Sequence, residues 1–184
     1  ICPTQTAPVS VTVSGGTANG DGWIGQNHGG GVYNSQGSPT LRNLTLTGNS
    51  AYDGGGMYSA DGAPTLSNVA VTGNHATWAG GGLYVPSGAA TLSDVLFDGN
   101  TTTEGFGGGL ASANPDEFQP ATPTLSLSRV AFRGNVAQFG GGFAARAGHI
   151  TIRDSVFEAN HASYMGGGMC AGDASYGYTG TLSL

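Results

Sequence analysis

The sequence predicts an all-β fold, a parallel β-solenoid of about six coils with roughly 26 residues in each. The first observation is composition: 35 of the 184 residues are glycine and only 9% are charged, unlike an ordinary globular domain. The second is a glycine triplet that recurs at intervals of 25, 26, 27, 33 and 26 residues. The triplets begin at Gly29, Gly54, Gly80, Gly107, Gly140 and Gly166. The third is a nine-residue stretch that follows each of the first five triplets.

The nine-residue stretch begins with an apolar residue and ends with asparagine, and its five copies align without gaps. Its first, fourth and sixth positions are apolar, except that Ser155 takes the fourth position of the last copy. Spacings of three and then two predict two short strands with a bend between them, not an amphipathic helix. Each coil is therefore expected to contain three short strands, and successive coils to stack as parallel strands about 4.8 Å apart. The copies begin at Leu41, Leu66, Leu92, Leu127 and Ile152.

Stacking turns every repeat position into a column of equivalent residues along the solenoid. The last position of the stretch predicts a structural ladder of amides at a tight corner, where asparagine also tolerates left-handed backbone angles. The glycine triplets let the backbone turn with positive φ and approach the next coil closely. Residues 1–28 are expected to form a divergent N-terminal coil or cap, and residues 29–184 the regular coils of the same domain, the last one incomplete. The ladder contains Asn49, Asn74, Asn100, Asn135 and Asn160.

Two outward columns carry charged residues on successive coils. In both columns an arginine is placed between two acids, which predicts ion pairing between coils. This pairing accounts for the two arginines that would otherwise be the obvious bases of a polysaccharide lyase, so the sequence assigns no catalytic residue. The residues are Asp98, Arg133 and Glu158 in one column and Asp94, Arg129 and Asp154 in the other.

Charge and hydropathy limit the possible partners. All five basic residues are arginine and the formal net charge is -6, so without a basic stripe no nucleic-acid partner is expected. No run of about 18 apolar residues could span a bilayer, so membrane insertion within this segment is not expected either. Residues 19–22 favour a glycine-rich turn over a calcium loop, and His75 and His161 lie too far apart, about 14 Å, to share a metal. No metal or cofactor is expected.

Aromatic residues form two further columns beside the glycine triplets. The first can bind sugar rings or seal the corner against water, and both interpretations stay open. The second begins with tyrosine and continues with small residues, so the two halves of this face are not equivalent. The first column contains Tyr52, Trp78, Phe106, Phe139 and Tyr164, and the second contains Tyr33, Tyr58, Tyr84, Ala111, Ala144 and Cys170.

Two insertions depart from the repeat, and function in solenoids usually lies on such loops. Both leave the same predicted corner, two coils apart, which is about 10 Å. We therefore expect a composite acidic and aromatic patch that binds a ligand such as a glycan; the alternative is two unrelated tolerated insertions. The adjacent carboxylates in the first loop are a poor match to a glycosidase pair, whose carboxyl groups are about 5–10 Å apart. The candidate residues are Asp116, Glu117, Phe118, Asp173, Tyr176 and Tyr178.

Three copies of the stretch contain the element F-x-x-N, at residues 97–100, 132–135 and 157–160. Together with the Gly-Gly-Gly-apolar element, it resembles the F-x-x-N and G-G-A-I elements of chlamydial polymorphic outer-membrane-protein repeats, over about residues 29–170. The resemblance implies a right-handed, single-stranded parallel β-helix of the pectate-lyase-like kind, located outside the cell or at its surface. Leu46 and Val71 depart from it by replacing the phenylalanine, and a glycine replaces the alanine.

The expected function is that of a non-enzymatic extracellular or cell-surface β-helix with a structural or adhesive role. Residues 181–184 restart a strand and residues 9–13 alternate as a strand should, so either the native chain continues or copies associate end to end. Glycans, a host or cell surface, and a second copy are the expected partners. A carbohydrate-binding module is the first alternative, and a polysaccharide lyase or glycoside hydrolase is the second. Cys2 and Cys170 lie at opposite ends of the repeats, too far apart for a disulfide.

Overall fold

The computed structural model describes residues 10–18, 27–112, 122–146, 148–172 and 180–184. Every regular element in these ranges is a β-strand, and the strands form three parallel sheets, named sheet A, sheet B and sheet C. The chain passes through the three sheets in that order and then returns to sheet A one level further along. The predicted parallel β-solenoid is therefore confirmed.

The described ranges contain 21 strands, numbered in chain order. Sheet A contains β1 (Val11–Ser14), β4 (Thr40–Thr47), β7 (Thr65–Thr72), β10 (Ala89–Asp98), β13 (Thr124–Ser128), β14 (Ala131–Arg133), β17 (Gly148–Arg153), β18 (Val156–Glu158) and β21 (Gly180–Ser183). Sheet B contains β2 (Thr17–Ala18), β5 (Ser50–Asp53), β8 (His75–Ala79), β11 (Thr101–Thr102), β15 (Val136–Phe139) and β19 (His161–Met165). Sheet C contains β3 (Val32–Ser35), β6 (Met57–Ala60), β9 (Leu83–Tyr84), β12 (Leu110–Ser112), β16 (Phe143–Ala145) and β20 (Met169–Ala171).

The register keeps equivalent repeat positions opposite one another from coil to coil. Leu66 of β7 pairs with Leu41 of β4 and with Leu92 of β10. The apolar positions of the nine-residue stretch point inward, and Phe97 and Phe132 are fully buried with their rings stacked 4.9 Å apart. Burying a side chain of this size contributes roughly 1.5–3 kcal/mol, so the repeated apolar positions build the core.

Sheet A bends at the third position of the nine-residue stretch, between its two predicted short strands. The residue there has a φ between 49° and 55° in all five copies, and these residues form what we call the bend column. Asparagine and aspartate tolerate this left-handed conformation better than most residues, whereas an arginine there is unusual. We number the coils from the one that begins with β1. The sheet A strand continues through the bend in coils two to four, as β4, β7 and β10, and is interrupted there in coils five and six. The bend column contains Asn43, Asn68, Asp94, Arg129 and Asp154.

The corner from sheet A to sheet B is held by stacked asparagines. Asn74 Oδ1 accepts hydrogen bonds from the backbone N–H and the side-chain Nδ2 of Asn49, at 3.0 and 2.9 Å. Asn74 Nδ2 in turn donates to the Leu46 carbonyl and to Asn100 Oδ1. The same bonds repeat down to Asn160 and form the asparagine ladder. The left-handed residue at this corner is not the asparagine but the residue before it, which is glycine in coils two to five and alanine, Ala159, in coil six.

The corner from sheet B to sheet C is formed by the glycine triplets. The first glycine has a positive φ, 63° at Gly54, which turns the chain. The second lies against the neighbouring coil, so a methyl group on Gly55 would collide with the carbonyl oxygens of His75 and Gly81. Glycine is therefore required here for two reasons, a backbone turn and a close approach.

Candidate functional site

The six loop residues expected to form a ligand patch, Asp116, Glu117, Phe118, Asp173, Tyr176 and Tyr178, lie outside the described residues. The strands that lead into the two insertions are β12 and β20 of sheet C, with β16 between them. These two strands therefore lie two levels apart in the same sheet, which is about 10 Å. The patch itself stays a prediction, and the same holds for the glycine-rich turn at residues 19–22 and for Cys2.

The two aromatic columns lie on either side of the glycine triplets, and we call this surface the aromatic corner. On the sheet B side, neighbouring rings from Trp78 to Tyr164 have centroids 5.2 to 5.8 Å apart. On the sheet C side, Tyr33 stacks on Tyr58 at 5.5 Å, and Tyr58 meets the edge of Tyr84 at 5.7 Å. Two of these five ring pairs are stacked and the other three meet edge-on or tilted, so rings of neighbouring coils contact one another along the corner.

Exposed aromatic surface is concentrated toward the two ends of the aromatic corner. Tyr164 is 70% exposed in coil six and Tyr33 is 57% exposed in coil one. In the middle, Trp78 and Phe106 are half-buried against the cluster of Ala79, Tyr84 and Ala111. A sugar ring therefore finds an open aromatic face only toward the ends, and the row does not offer a continuous binding platform.

A buried polar cluster at the aromatic corner was not predicted from the sequence. Asp53 is 5% exposed, and its Oδ1 accepts a hydrogen bond from the Ala79 backbone N–H at 3.1 Å. Its Oδ2 lies 3.2 Å from His28 Nδ1, an ion-pair distance without hydrogen-bond geometry. The imidazole of His28 is stacked 4.4 Å from the Tyr58 ring. His28 and Asp53 each directly precede a glycine triplet, and this shared position is the signal that could have indicated their pairing.

The chemistry of this cluster is that of a structural pair. Burial, and secondarily the charge of Asp53, raises the pKa of Tyr58 to about 12, so its phenol stays protonated at neutral pH. An imidazole beside a carboxylate can act as a general base when a reacting group is within reach. Here the ring of Tyr58 covers the imidazole, and the Ala79 amide fixes the carboxylate.

A groove of about 680 Å³ runs across the outer face of sheet A at the bend, and we call it the bend groove. The bend column supplies its polar side chains from Asn43 to Arg129, and half-exposed residues such as Leu96 and Ala131 are also part of its lining. Asn68 Nδ2 donates to Asn43 Oδ1 at 2.8 Å, so the column forms a second, exposed ladder. The groove arises because each coil bends at the same residue.

Each arginine in the bend groove forms an ion pair with one acid rather than with two. Arg129 Nε and Nη2 donate to the two carboxylate oxygens of Asp94, at 2.7 and 2.8 Å. Arg133 instead pairs with Glu158 of the next coil at 2.9 Å. The hydrogen bond from Arg129 lowers the pKa of the Asp94 carboxyl, and the same bond raises the pKa of Arg129. The predicted ion pairing between coils is thus present in both columns, with one acid as the partner of each arginine.

Within the described ranges, no three His, Cys, Asp or Glu side chains come together in a way that suits a metal ion. The same ranges contain no helix long and apolar enough to cross a bilayer. Comparison with protein-family models, with curated proteins and with solved structures finds no match to this chain. The fold assignment therefore rests on strand order and register, and the resemblance to chlamydial repeats rests on the two short motifs alone.

Proposed function

We propose that this chain is a non-enzymatic β-solenoid of the cell exterior with a structural and adhesive role. The observation that carries the proposal is that polar columns of the solenoid are paired between coils: buried amides at the asparagine corner, ion pairs and exposed amides at the bend. Each pair ties one coil to the next, so these side chains stiffen a rod. The F-x-x-N and triple-glycine motifs support an extracellular location, because repeats that resemble them occur in surface-anchored bacterial proteins.

The same pairing argues against the lyase alternative. A polysaccharide lyase needs a base free to remove a proton beside a carboxylate-bearing sugar. Arg129 is held at two points by Asp94, which keeps its guanidinium protonated, and Arg133 is held by Glu158. At the aromatic corner, the carbohydrate-binding alternative is supported by the exposed rings of Tyr33, Tyr52 and Tyr164.

Two measurements test the proposal. The chain is incubated with pectin, alginate and host glycans, and we expect no release of reducing ends or of unsaturated products above a heat-denatured control. Beads coated with the chain are then placed on cell layers under flow, and we expect them to resist detachment better than beads coated with an unrelated β-rich protein. Turnover that disappears in Arg129→Asn, or detachment at the same flow as the control beads, would contradict the proposal.

A further inference from the structure

The C-terminal end of the bend groove departs from the rest of the repeat. Every other described member of the bend column is asparagine or aspartate, but Arg129 is held at a φ of 52°. A long, charged side chain in this region is unusual, and residues kept in sparsely populated backbone conformations occur disproportionately at functional sites. The fold does not need arginine here, because the preceding coils turn through the same bend with Asn43, Asn68 and Asp94.

Arg129 and Asp94 form a flat, fixed set of hydrogen-bonding groups with unused capacity. Their two mutual bonds occupy two N–H groups of the guanidinium and one lone pair on each carboxylate oxygen. About three N–H donors and about two acceptor positions are left over. Both side chains are about half exposed, at 58% and 50%, so these positions are open to the groove. Donors and acceptors lying side by side match a pair of neighbouring sugar hydroxyls, each of which both donates and accepts.

The surroundings of this pair indicate the kind of ligand. Leu96 is half-exposed in the same groove and offers an apolar surface to the C–H face of a sugar ring. Toward the N-terminal coils the groove continues with amides and a hydroxyl, at Asn68, Asn43 and Thr45. The charges of Asp94 and Arg129 cancel, and Arg133 is neutralised by Glu158, so the groove does not attract a strongly charged polymer.

From this geometry we infer that the bend groove binds a neutral polysaccharide strand lying along the solenoid axis, with Arg129 and Asp94 hydrogen-bonding to vicinal hydroxyls at the C-terminal end of the groove. The coils repeat about every 4.8 Å, so an extended strand meets a new polar side chain at each coil. This inference rests on the proposed adhesive function and names its ligand class. It places the site on sheet A, away from the aromatic corner.

The test is binding of defined oligosaccharides to the whole chain, measured by isothermal titration calorimetry after a glycan array has ranked the candidates. The probes are cello-, manno- and xylohexaose, with hexagalacturonate as the charged counterpart. We expect at least one neutral hexaose to bind and Arg129→Asn to weaken it tenfold or more, while the variant keeps the circular-dichroism spectrum of the native chain. Asparagine is chosen because it occupies the same left-handed position in two other coils.

Arg153→Gln is the matched control, since Arg153 is exposed on the same sheet but does not line the groove. It should bind as the native chain does. The inference is overturned if no neutral glycan binds, if hexagalacturonate binds more tightly than every neutral hexaose, or if Arg129→Asn binds unchanged. If beads coated with Arg129→Asn adhere under flow as well as native beads, the groove is not the adhesive site, but the proposed adhesive function still holds. If beads coated with the native chain do not adhere, the adhesive function itself is contradicted.

Discussion

Two ladders of polar side chains run along the solenoid, and they differ in what surrounds them. The asparagine ladder is buried: Asn74, Asn100 and Asn135 are fully inaccessible, and their amides bond to one another and to carbonyls of the preceding coil. The bend column is exposed, its pairs face solvent, and its members vary from amide to carboxylate to guanidinium. Burial therefore fixes the side chain at one corner, because an unpaired amide there would be costly, while exposure leaves the other corner free to change.

The largest expected difference comes from removing one rung of each ladder. Asn100→Ala takes away the acceptor of the Asn74 backbone N–H and side chain and the donor to the Val71 carbonyl. Since each buried group left unpaired costs about 1–3 kcal/mol, we expect a loss of roughly 3 kcal/mol or more in the free energy of unfolding, measured in urea.

Asn68→Gly is the control for this prediction, because it removes one exposed amide pair and keeps a residue that accepts a positive φ. Its loss should stay below about 1 kcal/mol. Equal losses in the two variants would show that burial does not distinguish the ladders.

The asparagine ladder and the bend could be placed from the sequence because both follow from the period. The stretch from Leu66 to Asn74 keeps its length in every copy, so its last position must stack and its spacing must break into two strands. The sequence did not indicate that Asn68 itself is the left-handed residue, nor that Arg129 selects Asp94 while Arg133 selects Glu158. Those outcomes depend on the direction of the bend and on side-chain rotamers, which the amino-acid sequence alone does not specify.

The second prediction concerns the left-handed residue that precedes each asparagine. Gly73 has a φ of 58° and open space where a methyl would be, so Gly73→Ala should lose about 1 kcal/mol through the backbone alone. Ala159 already occupies the equivalent position of coil six at a φ of 50°, so Ala159→Gly should gain up to about 1 kcal/mol. Urea denaturation measures both, and changes of the same sign in the two variants would disprove the account of this corner.

The third prediction separates the ladders by pH. The hydrogen bond from Arg129 lowers the pKa of Asp94, so the pair is complete above the ordinary aspartate value of about 3.9 and is lost as the pH falls through the lowered value. In an NMR titration toward low pH, we expect the Arg129 Nε–H signal to keep its position as the pH passes the ordinary aspartate pKa. The signal should move only when the pH reaches the lowered pKa of Asp94. Amides do not titrate, so the Asn100 side-chain signals should not follow the same curve. An Asp94 carboxyl that titrates at the same pH in the native chain and in Arg129→Asn would contradict the prediction.

The smallest change in stability is expected for Arg129→Asn. This variant tests most directly whether the bend column differs in role from the asparagine ladder. Asparagine fits the left-handed bend better than arginine, and the ion pair that is lost is half exposed. We therefore expect the urea midpoint to stay the same or to rise slightly, in a variant that should lose oligosaccharide binding. A residue whose removal leaves the fold intact but abolishes binding is kept for recognition, since a position optimised for the solenoid alone would carry the asparagine found in coils two and three. A clear drop in the midpoint would instead make Arg129 another rung of the structural ladder.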